Sequence, residues 1–427
     1  MRVLVTGASG FIGSHITRSL RDSGHEVIAA VRDPAALKRR FDAITAVALD
    51  FTTLQTVDAC LPLLSDIDVV INTVGIIRET GNQAFDQLHH TAPCLLFRAC
   101  QLAGVRKVIQ ISALGADADA VSDYHLSKKA ADDCLKQLDL VWLIVKPSLV
   151  YGPGGKSAAL FKAISVLPVV PLVNDGGQPV QPIHIDDLTR LVCKLLLPDA
   201  PEKIEIDAVG PTPVSFRRML MHYRAWLGAG ACVLLPVPGT IALWAGKIGG
   251  IMGNTPVTAE SIRMLLRGNT GDVSTLTSST GIVPLAFAEA LAGTPAEQAD
   301  RWHARLYFLA PLLRISIGLL WLFSGITSAF LYPAEHSYAL LEQVGVTGLL
   351  APVALYGAAT LDMVLGIATL ARCRLQLAGR IQISLILAYT LLISVGPAEL
   401  WLHPFGPVTK NIPLLVATLV MLALEEK

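Results

Sequence analysis

Val3-Leu4-Val5-Thr6-Gly7-Ala8-Ser9-Gly10-Phe11-Ile12-Gly13 is the stretch that decides the fold of the N-terminal half. A short apolar strand runs into three spaced glycines, and helical spacing follows from Ser14 to Ser23. Gly7 permits the tight turn, Gly10 lets the backbone approach a pyrophosphate, and Gly13 lets the helix pack closely on the strand. The helix start then aims its free N–H groups and partial positive charge at the phosphates. Thr6, Gly7, Ser9, Gly10, Phe11, Ile12 and Gly13 are therefore candidate cofactor contacts.

Outward from this turn, strand and helix alternate. Val3 to Val5, Glu26 to Val31, Ala46 to Leu49, Val69 to Thr73, Lys107 to Ile111 and Val141 to Val145 read as strands buried on both faces. Ser14 to Ser23 and Pro93 to Ala103 read as helices that Gly24 and Gly104 close. The pattern predicts an α/β, Rossmann-type, doubly wound parallel sheet. From 152 to 293 the sequence is looser and richer in Pro and Gly, as for a small substrate lobe, with helices expected near Ala158 to Ser165, Ile185 to Leu197, Phe216 to Leu227 and Ala259 to Leu266. Arg32, at the end of the second strand, favours the 2′-phosphate of NADP over the bare ribose of NAD, while Asp33 beside it keeps NAD open. Asp50 and Phe51 suit an adenine contact, and Asn72, Val74 and Gly75 suit the ribose side.

Lys+Arg and Asp+Glu both number 34, which gives no electrostatic argument for a nucleic-acid partner. The seven cysteines are scattered with no C-x-x-C pair, so reduced thiols and no metal site are expected. Met1 runs directly into the first strand, so no cleaved leader is expected. Hydrophobic residues make up 52% and the mean hydropathy is +0.54, too apolar for an ordinary soluble chain.

The excess lies at the C-terminal end. After a polar connector at 296–305, residues 306–427 hold apolar runs at Leu306 to Leu331, Leu349 to Ala371, Ile381 to Leu402 and Val408 to Leu424, read as an all-α bundle of four membrane-spanning helices. The fourth run is short for a ~30 Å hydrocarbon core. Leu234 to Met252, with Gly253 at its edge, holds too many prolines and glycines for a span and is expected to be soluble or interfacial. Arg301, Arg305, Arg372, Arg374 and Arg380 flank one side of the spans, whereas the loop from Tyr332 to Gly348 has no Lys or Arg. Positive loops stay inside, which predicts an integral inner or plasma membrane protein with both termini and the N-terminal domain (1–295) cytoplasmic. Glu399, His403 and Lys410 would then lie near the outer face. Arg314 and Asp362, at similar counted depth, are expected either to pair inside the bundle or to leave Arg314 snorkelling.

Several further motifs carry a resemblance. Ser112, Tyr124-His125-Leu126-Ser127-Lys128, Lys146-Pro147-Ser148-Leu149-Val150-Tyr151-Gly152-Pro153 and Pro182-Ile183-His184-Ile185-Asp186-Asp187-Leu188, with the glycine turn and Asp50, look like the extended or atypical short-chain dehydrogenase/reductases. The similarity is greatest to the group of the nucleotide-binding accessory subunit of respiratory complex I and covers roughly residues 1 to 295. It implies a Ser112, Tyr124, Lys128 catalytic set, with Lys128 also contacting the cofactor and Pro147 beside it. Tyr124 and Lys128 share a helical face at i, i+4, and a lysine beside a phenol would lower its pKa from about 10. Ser112 would hydrogen-bond the same substrate oxygen. His89 stands where many relatives carry a water-holding asparagine, and His184, Asp186 and Asp187 read as loop and cap residues. Lys410-Asn411-Ile412-Pro413-Leu414-Leu415 with the span plan resembles the DoxX-like membrane family, which implies redox partners.

These readings predict a membrane-anchored NAD(P)H-dependent oxidoreductase acting on the carbonyl or hydroxyl of a lipophilic substrate. The alternative is a non-catalytic NADP(H)-binding sensor or stability factor for a membrane redox complex. A nucleotide-sugar epimerase or dehydratase ranks third, because the lobe offers few charges to grip a sugar diphosphate.

Overall fold

The computed structural model describes residues 1–40, 44–81, 83–251, 257–395, 399–402, 404, 406 and 408–425. It divides into two compact units, Met1–Ala304 and Arg305–Lys427.

In the first unit, β1 (Arg2–Thr6), β2 (Glu26–Val31), β3 (Thr45–Ala48), β4 (Val69–Asn72), β5 (Lys107–Ile111), β6 (Val141–Pro147) and β7 (Ile204–Ala208) form one parallel sheet. Its order is β7-β6-β5-β4-β1-β2-β3, so the winding reverses between β1 and β4, where a crevice opens beyond the strand ends. Side chains alternate across the sheet. Val3 and Val5 enter one core with Ile16 and Leu20 of α1 (Phe11–Asp22), whereas Leu4 enters the other with Leu96 and Phe97 of α2 (Ala92–Ala103) and Leu135 of α3 (Asp123–Lys136). All six expected strands are present. The seventh, β7, carries Glu205 and Asp207 between its apolar residues, as an edge strand tolerates.

Cys94 of α2 and Cys134 of α3 face each other with Cα atoms 6.0 Å apart, a pairing that the scattered spacing did not suggest. The two lie far apart in sequence, but their helices pack side by side. Cys60, Cys100, Cys193, Cys232 and Cys373 are free.

The four helices expected between 152 and 293 are present as Lys156–Ser165, α4 (Ile185–Lys194), Phe216–Trp226 and Ala259–Arg267. The apolar stretch from Leu234 is split into the strand Val233–Val237 and the helix Gly239–Ile251, whose Ile241, Trp244 and Ile248 are exposed. Met252 and Gly253, at its edge, and His403 lie outside the described residues.

Among the described residues three helical stretches are long and apolar enough to cross a membrane: Gln298–Leu331, Leu350–Leu370 and Leu375–Ser394. The first consists of α5 (Gln298–Ile326) and a wider π-turn, Thr327–Leu331. Most of the polar connector thus forms the first turns of α5. The second and third are α6 (Leu350–Leu370) and α7 (Leu375–Val395). α7 starts earlier than its apolar run because Arg372 and Arg374 take positive φ, 56° and 45°, and reverse the chain within a few residues. α8 (Asn411–Leu424) has 14 residues.

The expected Arg314–Asp362 pair does not form. Arg314 donates to the carbonyls of Thr369 (3.2 Å) and Leu370 (2.8 Å), which end α6, and its Nε lies 3.3 Å from Glu425. Asp362 lies seven residues earlier in α6, about 10 Å along the axis, and accepts instead from Ser324 (3.3 Å). Arg314 therefore caps the orphan carbonyls of a neighbouring helix. Arg314→Leu is expected to cost about 1–3 kcal/mol in detergent, read as a lowered melting temperature, and exchanging the charges of 314 and 362 is expected to give no rescue.

Candidate functional site

The glycine turn lies at the sheet's reversal. Gly7 has φ +70°, its N–H donates to Ala30 O (3.1 Å), and a Cβ on it would sit 2.9 Å from Thr73 Oγ1. A Cβ on Gly13 would lie 2.3 Å from Gly7 O and 2.5 Å from Thr73 Oγ1. These contacts let α1 start close against β1. Gly10 is the N-cap and no side chain caps the helix, so its first N–H groups stay free for a phosphate. Ser9 and Gly10 are exposed, and Phe11 and Ile12 are half-buried. The arrangement fits a dinucleotide pyrophosphate. The segment from Gly152 to Gly155 lies against α1, with Pro153 O 3.1 Å from His15 Nε2 and Gly155 close to the Phe11 ring.

At the end of β2, Arg32 is exposed, and Asp33 accepts from Ala36 N (2.9 Å), capping the helix Pro34–Arg40. Asp50 is half-buried and accepts from the amide and hydroxyl of Thr52 (2.9 and 2.8 Å). Phe51 is 3% exposed within the core, so its ring does not offer a face to adenine.

Asn72 also departs from expectation. It is fully buried, accepts from Thr6 Oγ1 (2.6 Å) and Val74 N (3.2 Å), and donates to Gln110 (2.7 Å). Thr6, Asn72 and Gln110 are register partners on β1, β4 and β5, so the three form a polar row inside the sheet. Thr6 and Asn72 thus brace the strands under the site and do not face a ribose. Val74 is half-buried, Gly75 exposed, and Pro147 buried at the end of β6.

Ser112 follows β5, and Tyr124 and Lys128 lie one turn apart on α3, which Ser122 caps through His125 N. Lys128 is 3% exposed; its Nζ donates to Val74 O and Ile111 O, both at 3.1 Å. A Cβ on Gly75 would meet Nζ at 3.2 Å, so glycine leaves room for the ammonium at the crevice. Burial pulls the Lys128 ammonium below its usual range. Tyr124 packs against Phe85, His89 and His125. Contrary to expectation, its phenol is not acidified. Burial pushes it up to about 12, and the Lys128 ammonium is turned to the strand ends. The Ser112 hydroxyl donates to Asp132, one turn beyond Lys128 and 1% exposed, a residue the sequence reading passed over. The missed signal was a third member of the four-residue spacing.

His89 lies in the π-helical turn Asp86–Thr91 and is fully buried. Ile76 N–H donates to its Nε2 (2.9 Å), so Nδ1 carries the proton and donates to Ser127 (3.0 Å). Burial first, then the Lys128 charge, holds this ring neutral, at about 2. Both nitrogens are engaged by protein groups, which leaves neither to hold a relay water. His184 caps α4 through Asp186 N (3.3 Å), and Asp187 accepts from Leu285 N (3.1 Å), so these residues act as cap and loop groups.

Comparison with known proteins agrees with this division. Residues 7–162 match a family described as NAD(P)H-binding, and residues 318–419 match the DoxX-like family. The chain is 29% identical over 249 residues to a ceramide reductase of Caulobacter vibrioides, a match covering 57% of this chain and 76% of that protein. It is 26% identical over 265 residues to the mitochondrial NADH dehydrogenase [ubiquinone] 1 alpha subcomplex subunit 9 of Mus musculus, covering 60% and 69%. Among solved structures, a UDP-glucuronic acid 4-epimerase from Bacillus cereus superposes with a TM-score of 0.54 at 19% identity, covering 72% of this chain and 100% of the epimerase. That likeness shows the fold. The chain therefore joins an N-terminal NAD(P)-binding Rossmann domain to a C-terminal DoxX-like domain, with a ceramide reductase and the complex I subunit 9 group among its relatives.

Proposed function

We propose that the chain is a membrane-anchored, NADPH-dependent oxidoreductase of the short-chain dehydrogenase/reductase type that reduces a carbonyl of a lipophilic substrate. The observation that supports this most is Lys128, buried and fixed to carbonyls at the ends of β4 and β5, one turn from Tyr124. A cofactor bound along the glycine turn supplies hydride at the nicotinamide ring. The chain's own residues then handle the proton. A phenol at about 12 remains protonated at neutral pH, which suits Tyr124 to donate to a carbonyl oxygen and unsuits it to deprotonate an alcohol. A substrate in the bilayer accords with the apolar helices and with the lipid named for the Caulobacter relative.

Asp33 is committed to capping a helix, which leaves Arg32 as the exposed group for a 2′-phosphate. Arg32→Ala is expected to weaken NADPH binding about 10- to 100-fold, the worth of a charge-assisted hydrogen bond, with NADH affinity unchanged. Equal affinity of the unaltered chain for the two nucleotides would remove the argument. The domain plan proposed is 1–295, a connector at 296–305 and 306–427, with α8 as a fourth crossing and the basic loops holding both termini in the cytoplasm. A reporter fused to the C-terminus and found outside contradicts that orientation.

A second reading is a non-catalytic NADP(H)-binding module of a membrane redox complex. The absence of a lysine against the Tyr124 phenol and the subunit 9 relatives favour it. The full chain purified in detergent, its bound nucleotide released and identified, followed by NADPH consumption with membrane lipid extract, separates the two.

A further inference from the structure

Tyr124, Lys128 and Asp132 stand on three successive turns of one face of α3. Asp132 is 1% exposed, and one carboxylate oxygen accepts a hydrogen bond from the Ser112 hydroxyl while the other, Oδ1, has no hydrogen-bond partner among the described residues. The charged groups that face it are Lys128 and Lys136 from α3 and Lys146 from β6. Lys136 and Lys146 are both held by Glu205 of β7. Lys128 makes no ion pair among the described residues, its Nζ being held by Val74 O and Ile111 O, and His89 is neutral. Asp132 and Lys128 are thus two buried groups one turn apart, each able to be charged or neutral.

A serine hydroxyl has one proton to give. With Asp132 ionised, that proton goes to the carboxylate, and Ser112 presents only lone pairs to the crevice. With Asp132 protonated, the carboxyl donates to Ser112, and the serine proton turns outward. We propose that Asp132 is a positioning residue that decides whether Ser112 donates or accepts a hydrogen bond at the substrate oxygen. This rests on the oxidoreductase reading given above. No proton is consumed at Asp132: hydride comes from the nicotinamide, the proton from Tyr124, and Ser112 and Asp132 end with the protons they began with. Burial raises the carboxyl above the usual carboxylate range, while the Ser112 bond and the lysines pull it back, so the exchange is reachable near neutral pH.

The test uses the full chain in detergent and pH-difference infrared spectroscopy of protonated carboxyls. A titrating band is expected that is absent in Asp132→Asn and moves up by about one pH unit in Ser112→Ala, the worth of one hydrogen bond to a charged group. NADPH binding checks that each variant is folded. In turnover with lipid extract, KM for the reduced substrate should rise about tenfold as pH passes through this titration in the unaltered chain. It should stay flat in Asp132→Asn, whose amide N–H replaces the carboxyl proton. A band unmoved by Ser112→Ala, or a pH-dependent KM kept by Asp132→Asn, overturns the inference. Absence of NADPH consumption by the unaltered chain with lipid extract would instead overturn the oxidoreductase reading, and the infrared shift would still judge Asp132.

Discussion

Tyr124→Phe is expected to lower turnover by about 100- to 10,000-fold, the usual contribution of a positioned general acid. NADPH affinity should stay within about twofold, because the ring packs against Phe85, His89 and His125 and its hydroxyl bonds no described residue. The pH dependence follows from the same burial. The protonated phenol is the active form and its pKa lies at about 12, so kcat is expected to be flat through neutral pH and to fall only as alkali ionises the group. A kcat that rises with pH toward 8 to 9 would mean that a lysine-acidified phenolate acts as base, as the spacing alone implies. Unchanged turnover in the variant would show that another group supplies the proton, whereas no turnover by the unaltered chain would favour the non-catalytic module.

Gly13→Ala is expected to lower both stability and NADPH affinity. Alanine within a helix ordinarily gains about 1 kcal/mol over glycine, but here the added carbon would stand 2.3 Å from Gly7 O and 2.5 Å from Thr73 Oγ1. The first obstacle is backbone, which has no rotamer with which to retreat. Overpacking of this kind costs about 1–3 kcal/mol, so the sign of the substitution reverses. The movement that relieves it carries Gly7 and the start of α1 away from the phosphates. Losing two such hydrogen bonds is worth about 3 kcal/mol, or roughly 100-fold in NADPH affinity. Isothermal titration with NADPH and a melting curve read both effects. A variant with raised stability and intact binding would show that α1 does not start against β1 as described.

The limits of the sequence follow from which residues point where. Parallel strands buried on both faces read as apolar runs, so β1 to β6 were legible, whereas β7 was hidden by Glu205 and Asp207, which an edge strand can afford. The glycine turn was legible because three spaced glycines have few other uses after a strand. Asn72 was misread because its direction depends on register. Only the alignment with Thr6 and Gln110 shows that it faces its neighbouring strands. Tyr124 and Lys128 were found by spacing, but the direction of the lysine depends on the carbonyls of Val74 and Ile111, which distant segments supply. Arg314 and Asp362 were matched by counting from the ends of apolar runs. The first helix starts well before its run, at Gln298, whereas α6 keeps to its own, and Glu425, near the end of the chain, supplies the acidic partner of Arg314.

Deuterium transfer tests the oxidoreductase reading most directly. The full chain in detergent is given NADPH deuterated at the transferable C4 position together with membrane lipid extract, and the lipids are read by mass spectrometry. A lipid alcohol carrying one deuterium is expected, formed by the unaltered chain and not by Tyr124→Phe. Tight NADPH binding with no deuterium in any lipid fraction would contradict it.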